Sequence, residues 1–225
     1  MIFNPLPHHV AFIMDGNRRW ATRVGLPKLE GHRRGLNRTR EIIDECLKLE
    51  IAHCTVWGFS TENWNREETE VNYLMNLFVE YLKKHVMELD EKGVRIVHLG
   101  RKDRLPGKVV ELLNEAEEQT RENSKLVLNL AIDYGGRDEI LRAVKRAGKS
   151  ELTEEELNSF LDTSNSPDPD LIVRTSGELR LSGFMLWQCQ YAELYFTNAC
   201  FPEFTVEKFH EALRDFEQRK RSIGK

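Results

Sequence analysis

Val10-Ala11-Phe12-Ile13-Met14 is an unbroken apolar run that stops at Asp15-Gly16-Asn17, and this abrupt end constrains the chain more than any other feature. So short a run, bounded by an Asp-Gly-Asn turn signal, reads as a buried strand rather than a helix. Asp15 then sits at the carboxyl edge of that strand. If Arg18 to Arg23 opens a helix, its free N–H groups and positive dipole end form an anion site, with Gly16 allowing close approach of the backbone. An acid beside such a site suits a metal-bound diphosphate. A plain strand-to-helix turn, with Asp15 or Asn17 as N-cap, accounts for the same residues equally well.

Similar runs recur along the chain. Strands are expected near 8–14, 52–58, 94–99, 125–132 and 170–174, with a sixth near 193–196, and they alternate with amphipathic helices. That alternation is the pattern of an α/β domain with a mostly parallel central sheet flanked by helices. Val71, Leu74, Phe78, Leu82, Val86 and Leu89 mark the apolar face of one long helix, and Val206, Phe209, Leu213 and Phe216 that of a last helix over 205–219. Segment 150–169, polar and carrying Pro167 and Pro169, reads as a short helix and a loop. At 225 residues, 40% of them hydrophobic, the whole chain 1–225 is expected to form one domain.

The net charge of −4, with no long Lys/Arg block, argues against general affinity for nucleic acid. Cys46, Cys54, Cys189 and Cys200 lack zinc-ligand spacing and read as core thiols of a reducing compartment. The start, Met1-Ile2-Phe3-Asn4-Pro5, has no signal-like stretch, and no segment approaches the roughly 20 apolar residues of a membrane span. The expectation is a cytoplasmic protein, at most peripheral to a membrane.

Two further segments carry chemistry. Arg174-Thr175-Ser176-Gly177-Glu178-Leu179-Arg180-Leu181-Ser182 follows the apolar Leu171-Ile172-Val173 and sets forked guanidinium donors and hydroxyls around a glycine, a composition suited to phosphate. A solvated polar loop is the plainer reading. Trp57-Gly58-Phe59-Ser60-Thr61-Glu62-Asn63-Trp64-Asn65-Arg66 mixes aromatic bulk with an amide, an acid and a base, as a site for a half-apolar, half-charged substrate would. Here the alternative is a capped helix start, with Ser60 or Thr61 and Glu62, or Asn65 ahead of Glu67 and Glu68; for Asn65 the capping role is expected in any case.

Together these segments resemble the cis-prenyltransferases, in particular the bacterial undecaprenyl diphosphate synthases. The resemblance continues through Asn129-Leu130-Ala131-Ile132-Asp133-Tyr134-Gly135-Gly136-Arg137, Phe184-Met185-Leu186-Trp187-Gln188 and Tyr191-Ala192-Glu193-Leu194-Tyr195-Phe196. Several motifs in one order across nearly the whole chain are far more specific than a lone glycine pattern. The resemblance implies extension of an allylic diphosphate, usually farnesyl diphosphate, by isopentenyl diphosphate in the cis sense, and a product for carrier-lipid synthesis that partitions to the membrane. It also implies Mg²⁺, a homodimer, and a hydrophobic tunnel walled by the helix over Val71–Leu89. By the same resemblance, Asp15 is the essential carboxylate associated with Mg²⁺ and Glu193 a second metal-associated carboxylate. Gly16, Asn17, Arg18, Arg19, Lys28 and His32 cradle the allylic diphosphate, with Trp20 at its edge. Arg174, Arg180, Leu181 and Ser182 match the isopentenyl diphosphate site, and Ser60, Thr61, Glu62, Trp64 and Arg66 match substrate contacts. Asn63 matches a residue assigned to proton removal, yet an amide is a poor base, so an orienting role fits better. His32 is a candidate proton relay to Asp15, or else a capping or ion-pairing side chain at the helix opening near Gly31.

The sequence departs from the family pattern at several points. Lys28 stands for a usual arginine, replacing a fork with a point charge. Gly183 stands for an asparagine and is expected to loosen its loop; Asp133 stands for an asparagine and Gln190 for a small residue, with no evident consequence. The terminal Arg-x-Gly is altered, Ser222 taking the arginine's place with Arg221 beside it. Gly58 matches a position where a small residue leaves the tunnel open, which implies a long product, undecaprenyl or decaprenyl diphosphate. A short-chain synthase and a noncatalytic prenyl-diphosphate-binding partner subunit are the alternatives; intact Asp15, Asn63, Arg174, Arg180 and Glu193 argue against the second.

Overall fold

The computed structural model describes residues 3–219. Six strands, β1 (His9–Ile13), β2 (His53–Ser60), β3 (Val94–Leu99), β4 (Leu126–Tyr134), β5 (Leu171–Arg174) and β6 (Glu193–Phe196), form one sheet in the order β3-β4-β2-β1-β5-β6. Every pairing is parallel. Seven helices flank it: α1 (Asn17–Arg23), α2 (Lys28–Lys48), α3 (Glu68–Glu91), α4 (Gly107–Gln119), α5 (Gly136–Ala147), α6 (Glu154–Phe160) and α7 (Val206–Gln218).

The apolar runs are strands because they lie between helical layers. All five residues of β1 are buried, as expected of a central parallel strand covered on both faces. On one face Val10, Phe12, Val56 and Val173 meet Ile42 and Ile43 of α2, Phe78 and Leu82 of α3, and Phe209 and Leu213 of α7 in the main core. The stripe expected on α3 is buried at Val71, Leu74, Phe78, Leu82 and Leu89, with Val86 half-buried. Cys46, Cys54 and Cys200 are buried, whereas Cys189 is only half-buried.

The chain leaves β1 toward β2 and later returns on the other flank of β1 as β5. The carboxyl ends of β1, β2 and β5 therefore surround a crevice where the sheet's connections diverge, the usual ligand position in open parallel sheets. No helix among the described residues is long and apolar enough to cross a membrane.

Some local expectations fail. β2 runs on to Ser60, so Phe59 and Ser60 complete a strand. Asn65 caps nothing: it ends a 3-10 turn, Thr61–Asn65, and α3 starts at Glu68 with Glu67 as its N-cap. Packing of the half-buried Trp64 indole edge-on against Phe59 draws that turn onto the sheet before the helix begins. Where the tunnel is expected, beside α3, the space is narrow. Between α2, α3 and the sheet lie two small cavities of about 40 and 30 Å³ that share Met14, Leu36, Gly58 and Phe78 in their walls; Asn17 and His32 also line the first, and the second is apolar.

Candidate active site

Asp15 follows β1 directly, and the register that pairs Ile13 with Arg174 brings the ends of β1 and β5 side by side. Thr175 clips them together, its Oγ1 accepting the Asp15 N–H at 3.0 Å and donating to the Asp15 carbonyl at 2.8 Å. The Asp15 carboxylate caps no helix. Its Oδ1 accepts the Gly16 N–H at 2.7 Å and its Oδ2 accepts from Arg174 Nη2 at 3.0 Å, while about a third of the side chain stays exposed. Gly16 itself is the N-cap of α1, at φ +93°, where a Cβ would lie 2.7 Å from Ser176 Cβ. Glycine is required there, and both proposed side-chain caps, Asp15 and Asn17, are excluded. Asn17 instead donates to the Met14 carbonyl at 2.9 Å. The first bond along α1 is Trp20 N–H to Gly16 O at 2.9 Å, so the N–H groups of residues 17–19 precede it and need other partners.

A cavity of about 550 Å³ opens over this turn, lined by Asp15, Gly16, Asn17, Arg18, Arg19, Lys28, His32 and Arg66. It adjoins a second of about 240 Å³, lined by Asp15, Asn17, His32, Trp57, Ser60, Glu62, Asn63, Arg66, Arg174 and Ser182. The structure thus brings together most of the residues expected from the sequence. Trp20, half-buried on α1, lies outside both walls, as do Thr61, Trp64, Arg180 and Leu181. Thr61 donates to Glu62 at 2.9 Å, and Trp64 points inward to Asp133. Glu193 is not part of the group. It pairs with Leu171, three residues (about 10 Å) below the Arg174 level, and is bonded by Arg219 at 2.8 Å.

Arg174 is buried, and its fork links the site: Nη1 donates to Ser182 Oγ at 2.8 Å and to the Arg180 carbonyl, Nη2 to Asp15. Gly183 does not loosen this loop. It adopts φ +91°, which glycine accommodates readily, and its carbonyl accepts the Gly136 N–H at 2.7 Å. Asn63 Oδ1 accepts the Ser60 N–H at 3.1 Å, which turns its NH₂ group outward as a donor. Ser60 is accordingly the N-cap of the 3-10 turn, with Asn63 rather than Glu62 as its partner.

Sequence reading missed Glu70. This carboxylate on α3 meets Arg66 at 2.8 Å, Arg18 at 3.2 Å and His32 Nε2 at 3.3 Å, joining three cavity-lining groups. Burial opposes its charge, but Arg66, Arg18 and His32 outweigh that and hold its pKa below the ordinary carboxylate value. Burial lowers the pKa of His32 against the pull of Glu70, and likewise lowers that of Arg66. His32 sits in the second turn of α2, whose N-cap is Pro27, so it caps nothing. Glu178 was missed as well: it holds Arg180 at 2.6 Å and Arg19 at 2.9 Å, and Arg180 chiefly keeps its pKa low. The only sequence signal for either acid was charge spacing, Arg66 to Glu70 and Glu178 to Arg180.

A hard cation fits this donor set. Asp15 presents a partly exposed carboxylate to a polar cavity, and Mg²⁺ commonly binds through one or two carboxylates with substrate phosphates completing its shell. No cluster of three or more His, Cys, Asp or Glu side chains that could hold a metal by themselves occurs among the described residues.

Comparison with known proteins decides the family. The family model for undecaprenyl diphosphate synthase, Prenyltransf, matches residues 13–224. The chain belongs to this family of cis-prenyltransferases. It is 50% identical to the isoprenyl transferase of Aquifex aeolicus over 223 residues, 98% of this chain and 96% of that protein. It is 44% identical to the ditrans,polycis-undecaprenyl-diphosphate synthase ((2E,6E)-farnesyl-diphosphate specific) of Legionella pneumophila, covering 97% of this chain and 96% of that one. Among solved structures, lavandulyl diphosphate synthase from Lavandula x intermedia, in complex with dimethylallyl diphosphate, superposes with a TM-score of 0.93 at 33% identity, covering 98% of this chain and 99% of that one. The protein is therefore an enzyme of cis-prenyl chain elongation. Mg²⁺ dependence is general in the family.

Proposed function

We propose that this enzyme extends farnesyl diphosphate with isopentenyl diphosphate to a long polyprenyl diphosphate, undecaprenyl or decaprenyl, as a carrier-lipid precursor. One observation carries the site assignment: Arg174 joins Asp15 to Ser182, so the acid after β1 and the loop after β5 act as one anion-binding unit. The allylic diphosphate lies over the α1 turn, on the N–H groups of residues 17–19 and the side chains of Asn17, Arg18, Arg19, Lys28 and His32. Isopentenyl diphosphate lies against Arg174, Ser182 and the exposed Arg180. Mg²⁺ on Asp15, when bound, neutralises diphosphate charge as it leaves.

The allylic C1–O bond breaks, the isopentenyl alkene bonds to C1, and a proton passes to a diphosphate oxygen or to Asp15. Asn63 orients. Its Oδ1 accepts Ser60 N–H, which leaves the NH₂ group as the donor it offers, and an amide oxygen is too weak a base to take the proton. Half-buried His32 lines both cavities and is placed to hydrogen-bond the diphosphate.

We also infer a homodimer and a cytoplasmic location with peripheral membrane contact for product release. Leu141 and Val144 on α5, and Leu186 and Tyr191 in the turn before β6, are exposed large hydrophobic side chains. Exposed apolar side chains of that kind are suited to association. Glu193 is engaged by Arg219 within its own chain, so the metal proposal rests on Asp15. The altered terminal motif, Arg221 and Ser222, lies outside the described residues.

A short product is the competing reading, because Phe78 lines both small cavities beside Gly58 and Tyr81 the second of them, which leaves little room for a growing chain. Purified protein with farnesyl diphosphate, labelled isopentenyl diphosphate and Mg²⁺, followed by product sizing, decides between them. Long products support the proposal, products of a few isoprenes select the short-chain reading, and no incorporation with any allylic primer points to a noncatalytic partner subunit.

A further inference from the structure

Asp133 is the one carboxylate in β4, is fully buried, and takes φ +54°, a conformation that Asn and Asp tolerate better than other side chains with a Cβ. A charge buried there requires partners. Two come from different loops. Arg104, in the connection between β3 and α4, reaches Oδ2 through Nε at 2.9 Å and Oδ1 through Nη2. Trp64, in the 3-10 turn after β2, donates its indole N–H to Oδ1 at 2.9 Å. The Arg104 guanidinium also lies over the Trp64 ring, 5.9 Å from its centroid, and the indole meets Phe59 edge-on at 5.0 Å. The loop bearing Arg104 is itself tied to Asp133, whose carbonyl accepts the Arg101 N–H at 3.0 Å.

Trp64 is thereby gripped by a charged acceptor, a cation and an aromatic ring, while its neighbours Asn63 and Arg66 face the reaction cavity. Neither Asp133 nor Arg104 lines that cavity. We infer that the Asp133–Arg104 ion pair is a positioning device: through Trp64 it sets where Asn63 and Arg66 stand, and so tunes turnover without touching substrate. The inference rests on the assignment of Asn63 to the site. Charge-assisted bonds are the stronger ones, and displacement of a substrate-orienting group by about 1 Å can cost about 10²-fold in rate. Asp133 and Arg104 are positioning residues.

The test uses Arg104→Gln, Asp133→Asn and the double variant in the full chain, with steady-state kinetics for both substrates and the Trp64 indole N–H resonance, assigned by its loss in Trp64→Phe. Arg104→Gln strips Asp133 of its cation; it is expected to shift the Trp64 resonance and lower kcat by about 10-fold or more, with KM for each diphosphate within about 3-fold. Asp133→Asn keeps an acceptor for Trp64 and should lower kcat by less. The double variant, no longer holding an unpaired buried charge, should recover to about the Asp133→Asn level. A folded Arg104→Gln with wild-type kcat, or a Trp64 shift without a change in kcat, overturns the inference, as does a double variant poorer than Arg104→Gln. If Arg104→Gln does not fold, Asp133→Asn alone decides, and an unmoved Trp64 resonance with unchanged kcat rejects the device. Asn63→Ala run in parallel separates the two levels: wild-type kcat there locates the failure in the site assignment itself.

Discussion

Replacing Arg174 with lysine tests the central connection of the site. Arginine here uses two ends of a planar fork at once, toward Asp15 Oδ2 at 3.0 Å and toward Ser182 Oγ at 2.8 Å with the Arg180 carbonyl. One ammonium on a flexible stem keeps the charge but cannot span those partners in the same geometry. Alanine would be a poorer probe, because it removes the cation beside Asp15 and leaves a void as well. With lysine, two charge-assisted bonds are lost or weakened at about 1.5 kcal/mol or more each, about 3 kcal/mol together, which is about 10²-fold in kcat/KM for isopentenyl diphosphate. The effect on the allylic primer should be several-fold smaller, since the α1 turn is untouched. The assay is two-substrate steady-state kinetics, with thermal melting to establish that the variant is folded. Arg180→Ala is the companion: the side chain is exposed and paired with Glu178, so its loss should raise KM for isopentenyl diphosphate without lowering the melting point. A folded Arg174→Lys enzyme within about 3-fold of wild type in kcat/KM, or one equally impaired toward both substrates, would refute the assignment of Arg174 to the isopentenyl site.

Asp15→Ala should cut turnover by about 10³-fold or more while the protein still melts cooperatively, and a folded variant with near-normal turnover removes Asp15 from the chemistry. Gly58→Leu should shorten the product: a Cβ there already lies 3.3 Å from Phe78 Cε1, so the larger side chain fills the apolar passage, at about 1–3 kcal/mol of stability; an unchanged length distribution from the folded variant places the limit elsewhere. Acid should destabilise the fold through His9, whose pKa burial lowers from 6.5 to about 4. The unfolded chain takes up that proton first, so stability falls as pH drops from 6.5 toward 4, by about 1.4 kcal/mol at pH 5.5 from this group. Urea unfolding of wild type and His9→Asn at pH 7.5 and 5.5 measures the difference, and equal losses in the two proteins would clear His9.

What could be read from the sequence was what the chain encodes locally. The run ending at Asp15 predicts a strand edge, and the same logic at Val173-Arg174 and at the end of β2 places three chemical segments at carboxyl ends of strands. In a parallel sheet those ends converge, so the segments meet although about 160 residues separate Asp15 from Arg174. Pairings across the fold leave no such local trace. Glu70 belongs to no motif in the sequence; only the packing of α3 against α2, with Arg18 reaching across from α1, brings it to Arg18 and His32. Asp133 was visible only as a departure from the family pattern, because its partner Arg104 is 29 positions away in another loop. Asn65 was misread for the opposite reason: its spacing to Glu67 and Glu68 satisfies a capping rule, but burial of Trp64 one residue earlier prevails. A half-buried indole that packs on Phe59 and bonds to Asp133 gains more than a solvated cap, worth typically about 1 kcal/mol, can offer. The turn accordingly packs onto β2 and leaves α3 to begin at Glu68 without a side-chain cap. The same burial joins Asn63 to the site, since the indole that displaces the cap is the group clasped by Asp133 and Arg104.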